Sequence, residues 1–264
     1  MIRLFSSGGG VQSIAALVLS AQRVIDFPLH VFANTGDDSE APKTLAYVRD
    51  IAMPYAHKHG IEFIERVKVT HNGQVAPTVA EETLGDTQSI PIPVFPGTGG
   101  PWQRSCTAKW KIRVVSYVAR ERGATKKKPA SIGLGISMDE FMRANSNTQN
   151  QYTVNVYPLL DLRLTRQDCI NIIVQAGLPV PPKSACYFCP FTRLSEWQRL
   201  ASEDPDTFQK AVVFEKAVQA KAQRLHGKNV YLTRTSRPLD RVVGGQAIMT
   251  ELDDDVCDSG YCFM

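Results

Sequence analysis

Apolar and polar positions alternate in two registers over the first two-thirds of the chain. "IRLFS" (2–6), "LHVFANTG" (29–36), "IEFIERVKV" (61–69) and "SIGLGIS" (131–137) are bounded apolar runs of strand length. Between them, residues 12–22 put Ile14, Leu17, Val18 and Ala21 on one helical face, and residues 44–60 and 107–122 also read as helical. Apolar strands separated by helices predict a parallel sheet covered on both faces. Residues 71–104 break the pattern with "IPIPVFPGTGGPWQRS", too rich in Pro and Gly for a helix or central strand, and are expected to form a long functional or mobile loop. A helix is expected near 166–176, ended by Gly177, and Pro179, Pro181 and Pro182 keep the following chain extended. Residues 194–225 read as helix with a break at Asp204-Pro205. The expected fold is α/β: a doubly wound, mostly parallel sheet over 1–180, with a helical C-terminal extension and acidic tail over 181–264.

The chain has 264 residues, 43% apolar, enough for a sizeable core. Its net charge of +4 is compatible with an anionic ligand or nucleic acid and demands neither. No apolar run reaches membrane-spanning length, and Gly8, Gly9 and Gly10 interrupt the N-terminal run that a secretory leader would need. The expectation is a cytoplasmic protein without membrane partners. Its six cysteines are then ligands, catalysts or buried fillers rather than disulfides.

The strongest local signal is "FSSGGGVQS" (5–13) between a strand and a helix. Glycines there let backbone approach a ligand closely, and the first N–H groups of the helix make an anion site. Ser6, Ser7 and Ser13 add hydroxyls, so residues 6–13 (Ser6, Ser7, Gly8, Gly9, Gly10, Val11, Gln12, Ser13) are candidate phosphate ligands. The spacing is neither GxxxxGK[ST] nor GxGxxG.

SGGGVQS (7–13) resembles the SGGxxS pyrophosphate loop of the PP-loop superfamily, the adenine nucleotide α-hydrolase-like (HUP-like) proteins that include ATP pyrophosphatases and PAPS (phosphoadenosine phosphosulfate) reductases. FANTGDDSEAP (32–42) resembles that group's second strand and following turn; GISMDE (135–140) resembles a segment after a later strand. YPLLDLRLTRQDCINIIVQAGLP (157–179) and KSACYFCPF (183–191) are similar to blocks of PAPS reductase-like proteins and their iron–sulfur relatives. Gln12 and Asn34 stand where many members carry acids. The resemblance implies that 1–180 binds an adenine nucleotide, ATP or PAPS, with the base near Ala33, Asn34, Thr35 and Gly36.

Cys186 and Cys189 form a CxxC between Pro182 and Pro190, a spacing that suits a redox pair, zinc or an iron–sulfur cluster. Cys106 lies among Arg104, Lys109 and Lys111, which favours thiolate. The resemblance implies Cys106, Cys186 and Cys189 as ligands of a [4Fe-4S] cluster (alternatively Zn²⁺), with Cys262 or Cys257 as a fourth ligand or an open site. Cys169, inside "CINIIV", reads as buried filler. Lys109 and Arg113 are four apart, on one expected helix face, and are candidates for nucleotide phosphates. Asp139 and Glu140 follow a strand and suit either Mg²⁺ binding or a helix N-terminus. Lys126, Lys127 and Lys128 read as a solvated turn or a nucleic-acid contact.

Together these imply an ATP pyrophosphatase-type enzyme that adenylates a substrate for sulfur transfer to tRNA or DNA, served by a sulfur donor protein. Ser13, Cys106 and Asp139 are the expected catalytic residues. Two alternatives stand beside this reading. One is a PAPS or APS (adenosine phosphosulfate) reductase using Cys262, although "SGYCFM" replaces the reductases' ECGLH tail. The other is a nucleotide-binding regulator without turnover.

Overall fold

The computed structural model describes residues 1–144 and 150–244. In chain order they form β1 (Arg3–Ser7), α1 (Val11–Ala21), β2 (Leu29–Asn34), α2 (Pro42–Tyr47), a π-helical turn (Val48–Ala52), α3 (Met53–Lys58) and β3 (Glu62–Val67). Then follow α4 (Val79–Leu84), β4 (Phe95–Pro96), a second π-helical turn (Thr107–Ile112), α5 (Arg113–Glu121), β5 (Ala130–Leu134) and a 3-10 helix (Met138–Arg143). The described chain ends with β6 (Thr153–Val156), α6 (Pro158–Asp161), α7 (Arg166–Gln175), α8 (Leu194–Glu203), α9 (Pro205–His226), β7 (Val230–Tyr231) and α10 (Leu239–Gly244). Two compact units emerge: Met1–Ala76 with Ala108–Ser184, and Pro77–Thr107 with the described residues from Ala185 onward.

The first unit is α/β. Its sheet runs β3-β2-β1-β5-β6 with every neighbouring pair parallel. Successive strand residues face opposite sides. Phe5 and Phe32 join α1 and α7 residues such as Leu17 and Ile173 in one core, while Leu4, Val31 and Ala33 join Val114 and Val118 of α5 in another. Helices therefore cover both faces, as the apolar strands predict. Ten consecutive positions of α1 include nine buried residues, because α7 packs along it against the sheet. α7 starts with a capping box: Thr165 Oγ1 accepts from the Asp168 N–H, and the Asp168 carboxylate accepts from the Thr165 N–H.

Within this core His30 stacks between Phe5 and Phe63, at 5.0 and 6.0 Å between centroids. Ser20 donates to the Ala16 carbonyl, so its hydroxyl oxygen accepts from His30 Nε2 at 3.2 Å. Burial pushes His30 down to about 3, and it stays neutral in the folded protein at ordinary pH.

The second unit carries α4, α8, α9, α10 and the antiparallel β4–β7 pair. Phe188 stacks on Phe214 at 3.9 Å, and Trp197, Leu232 and Leu239 are fully buried. Two charged side chains close it. Glu215 of α9 accepts from the Leu232 and Leu239 N–H groups, at 2.8 and 2.7 Å. Lys221 donates to the Glu82 and Gly85 carbonyls at the end of α4 and to Thr87 Oγ1. The helix break at Asp204-Pro205 is real: Asp204 accepts from the Thr207 N–H and Pro205 is the first residue of α9. Residues 71–104 are not wholly loop. α4 sits inside them, opened by a Thr78/Glu81 capping box that sits among the Pro and Gly residues of that segment.

Gly133, next to last in β5, marks the tightest packing among the glycines. A methyl there would come within 2.5 Å of Phe5 Cδ2 and 2.8 Å of Phe27 Cε1, which meet edge-on at 5.5 Å. Gly133→Ala is expected to lose about 1–3 kcal/mol of stability in chemical denaturation, and an unchanged midpoint would contradict this packing.

Candidate functional site

The strand order reverses between β1 and β5: the chain steps outward through β2 and β3 on one side and through β6 on the other. Ligands of such sheets sit at the carboxyl ends of the strands flanking that reversal. β1 ends there in Ser7, Gly8, Gly9 and Gly10, and α1 begins at Val11. Gly10 is the N-cap, with extended backbone and no side-chain cap, so the first N–H groups of α1 lack an intrahelical acceptor. Gly9 has φ +76°, and a Cβ on it would lie 2.9 Å from Val48 Cγ2 and 3.1 Å from Thr44 Cγ2. Only glycine fits this corner.

The hydroxyls divide. Ser7 is buried and its Oγ has no partner; Thr44 Oγ1, beside Gly9, is also buried without one. Ser13 Oγ instead donates to the Gly10 carbonyl at 2.9 Å and must rotate to meet a phosphate. Ser6 is buried at the end of β1. Ser184 donates to the Gly8 carbonyl and bolts the loop from the far end of the unit's chain. No local signal in "KSAC" singles out that serine.

Gln12, where an acid is common in the resembling loops, reaches across the reversal. Its Nε2 lies 3.4 Å from both Ser137 Oγ and Glu140 Oε2, and its Oε1 accepts from Arg166 at 3.4 Å. Asp139 accepts from the Arg166 backbone N–H and the Ser137 hydroxyl, which ties it to the start of α7. Glu140, mostly buried, pairs with Arg143 at 2.7 Å.

Asn34 ends β2 with every group engaged. It accepts from the Gly36 N–H at 2.8 Å and donates to Asp37 at 2.7 Å and Glu65 at 2.6 Å. Arg49 forks onto the same two carboxylates at 2.6–3.0 Å. The Gly36 N–H is thus taken. Thr35 and Ala33 are buried beside it, and Thr35 Oγ1 donates to Glu40, a carboxylate that is 1% exposed. Arg49 and Glu65 escape a sequence reading because the π-helical turn and β3 bring them to the turn from outside its motif, whereas Glu40 lies within the motif. Arg113 is exposed on the first turn of α5, and Lys109 lies in the π-helical turn, where i,i+4 residues do not stack as in an α-helix.

Cys106, Cys186 and Cys189 belong to the second unit. The Cys189 N–H donates to the Cys186 carbonyl at 3.0 Å, which sets both on one tight turn. Phe191 meets Phe95 at 6.3 Å and Arg104 at 5.5 Å, so the segment ending at Cys106 runs beside this block. Cys106, Cys186 and Cys189 are half-buried and none is in a disulfide. Two thiols on one turn suit one metal centre. Among the described residues, however, no group of three or more His, Cys, Asp or Glu is placed to hold a metal ion. Cys257 and Cys262 lie outside the described residues. Cys169 is buried in α7, and burial pushes its thiol up to about 12, as a filler requires.

No family model and no curated protein matches the chain. Solved structures similar to it include the following two. One is phosphoadenylyl-sulfate reductase from Candida auris in a phosphate complex: 12% identity, 69% of this chain and 75% of that one, TM-score 0.42. The other is the U34-tRNA thiolase NcsA from Methanococcus maripaludis with its [4Fe-4S] cluster: 14% identity, 82% of this chain and 72% of that one, TM-score 0.44. No helix among the described residues is long and apolar enough to cross a membrane.

The Asn34 cluster has a pH signature. Arg49 first, then Asn34, hold Asp37 below its ordinary carboxylate value. Its contribution to stability is therefore present above that ordinary value and is lost as pH falls through the depressed one. A carboxyl NMR titration should find Asp37 below the usual Asp range and returning toward it in Arg49→Gln; an ordinary midpoint in the parent protein would refute the cluster.

Proposed function

We propose that the chain is an adenine-nucleotide-dependent enzyme whose residues 7–13 grip the nucleotide's phosphates, and that it adenylates a substrate for sulfur transfer to nucleic acid. The supporting observation is the opening turn itself: an uncapped helix start, a glycine with no room for a side chain, and a buried serine hydroxyl without a partner, all at the strand-order reversal. Phosphate oxygens supply the acceptors that these donors lack.

In the adenylation step a substrate oxygen attacks the α-phosphorus. The bond from that phosphorus to the bridging oxygen breaks, and pyrophosphate leaves with the electron pair. A sulfur nucleophile then displaces AMP from the activated carbon. Backbone N–H groups at the start of α1 stabilise the charge on the departing pyrophosphate, and a rotated Ser13 adds a hydroxyl donor. Asp139 acts here by fixing the start of α7 beside Gln12 and Arg166. Mg²⁺ would arrive with the nucleotide, its phosphates supplying most of the ligands. Ala33, Asn34 and Thr35 border the base, and Lys109 and Arg113 serve the outer phosphates. A [4Fe-4S] cluster on Cys106, Cys186 and Cys189, completed by Cys262 or Cys257, would supply or hold sulfide; zinc on the same thiols would be structural. tRNA or DNA as acceptor, a sulfur donor protein and a cytoplasmic setting complete the reading.

Gly9→Ala should lower pyrophosphate release from ATP on the order of 100-fold, the scale of losing preorganised donors. Undiminished release would overturn the assignment of the loop. Sulfite release from PAPS with a thiol reductant, in place of pyrophosphate release from ATP, would transfer the same loop to sulfonucleotide reduction.

Anaerobic purification with iron, zinc and sulfide analysis tests the thiols separately. Bound metal should fall in Cys186→Ser and Cys189→Ser and stay in Cys169→Ala; equal metal in all three variants would remove the CxxC from any metal site.

A further inference from the structure

Past the Cys186–Cys189 turn the second unit carries a small cleft of mixed lining that the nucleotide reading does not use. Residues 192–194, Trp197 and residues 233–235 line it, with Val242 of α10. α8, ten residues long, begins at this cleft. Arg193 is its N-cap, in extended backbone with no side-chain cap, and its carbonyl serves the Glu196 and Trp197 N–H groups. The two N–H groups before those have no acceptor in the helix. Trp197 is 1% exposed, and its indole Nε1–H finds no partner. Arg193 Nε is buried and equally unmatched.

The charges agree. Arg193 and Arg234 both line the cleft, no acidic side chain among the described residues does, and neither arginine is in an ion pair among those residues. Thr192 and Thr235 bring hydroxyls to the rim, while Thr233 Oγ1 lies within bonding distance of the Arg237 carbonyl and Thr235 Oγ1 and fixes the opposing turn. The buried Trp197 indole N–H, the buried Arg193 Nε and the first N–H groups of α8 lack an acceptor in one place, and the exposed Arg234 adds a second guanidinium. Such a set is unfavourable empty and is matched by a compact species that only accepts.

We propose that this cleft binds one tetrahedral oxyanion, a phosphoryl group, held by Trp197 Nε1, Arg193, Arg234 and the start of α8. The source is a free phosphate or a phosphate of a nucleic acid, and the site is independent of the glycine loop in the first unit.

The test reads the indole directly. The chain has three tryptophans, so the ¹⁵N-labelled full-length protein has three indole N–H signals, and Trp197→Phe identifies the one from Trp197. Should that variant not fold, sequential assignment identifies it. Inorganic phosphate should shift this signal saturably, and Arg193→Gln should weaken the response about tenfold, one factor of ten in the dissociation constant. Parallel titrations with sulfate, and with a single-stranded oligonucleotide carrying or lacking a 5′-phosphate, separate free oxyanion, terminal phosphate and backbone phosphodiester, and a shift with any of them supports the site. A Trp197 signal unmoved by all four, or moved equally in Arg193→Gln, overturns it.

Discussion

A helix that starts without a capping side chain at the end of a central parallel strand leaves several backbone donors unanswered. In this chain those donors open α1, and the surrounding structure is arranged to keep them so. Gly9 turns the backbone where no other residue fits, Ser184 holds the loop through the Gly8 carbonyl, and the buried face of α1 is locked against α7. None of these contacts supplies an acceptor to the first turn. The helix dipole adds its positive end at the same point, so the opening favours a negatively charged group.

The residues around this opening are engaged to different degrees. Asn34, Asp37, Glu65 and Arg49 satisfy one another and form a rigid wall at the end of β2 and β3. Gln12 makes longer contacts, each 3.4 Å, with three groups from two other segments. An amide both donates and accepts, so Gln12 bridges Glu140 and Arg166 where a carboxylate would face Glu140 as a like charge. The two departures from the common acidic pattern thus have distinct physical roles: Asn34 completes a wall, and Gln12 spans the crevice.

The sheet and its helices were legible because buried parallel strands write uninterrupted apolar runs and helices write their own period. The glycine turn was legible because few arrangements use three consecutive glycines between such elements. The rest lay beyond local pattern. α4 hides in a Pro/Gly-rich stretch, and its capping box, Thr78 with Glu81, is recognised only by someone already expecting a helix there. Arg49 and Glu65 join Asn34 through strand register and helix placement, which are products of the whole fold. Lys109 and Arg113 were placed on one helical face, but a π-helical turn intervenes, and its wider winding follows from packing rather than composition. The orphaned Trp197 indole is invisible in sequence, since a tryptophan at a helical position reads simply as core.

The second unit is assembled from two stretches of chain that the first unit separates. Lys221, in the last third of its long helix, fastens to carbonyls more than a hundred positions upstream. Such a body has high contact order and a large loop-closure entropy to overcome. During synthesis the upstream stretch emerges long before its partner, with α5, β5, β6 and α7 of the first unit between the two. A fragment beginning at Ala185 lacks the segment that Lys221 holds, so this body is closed only when both of its stretches of chain are present.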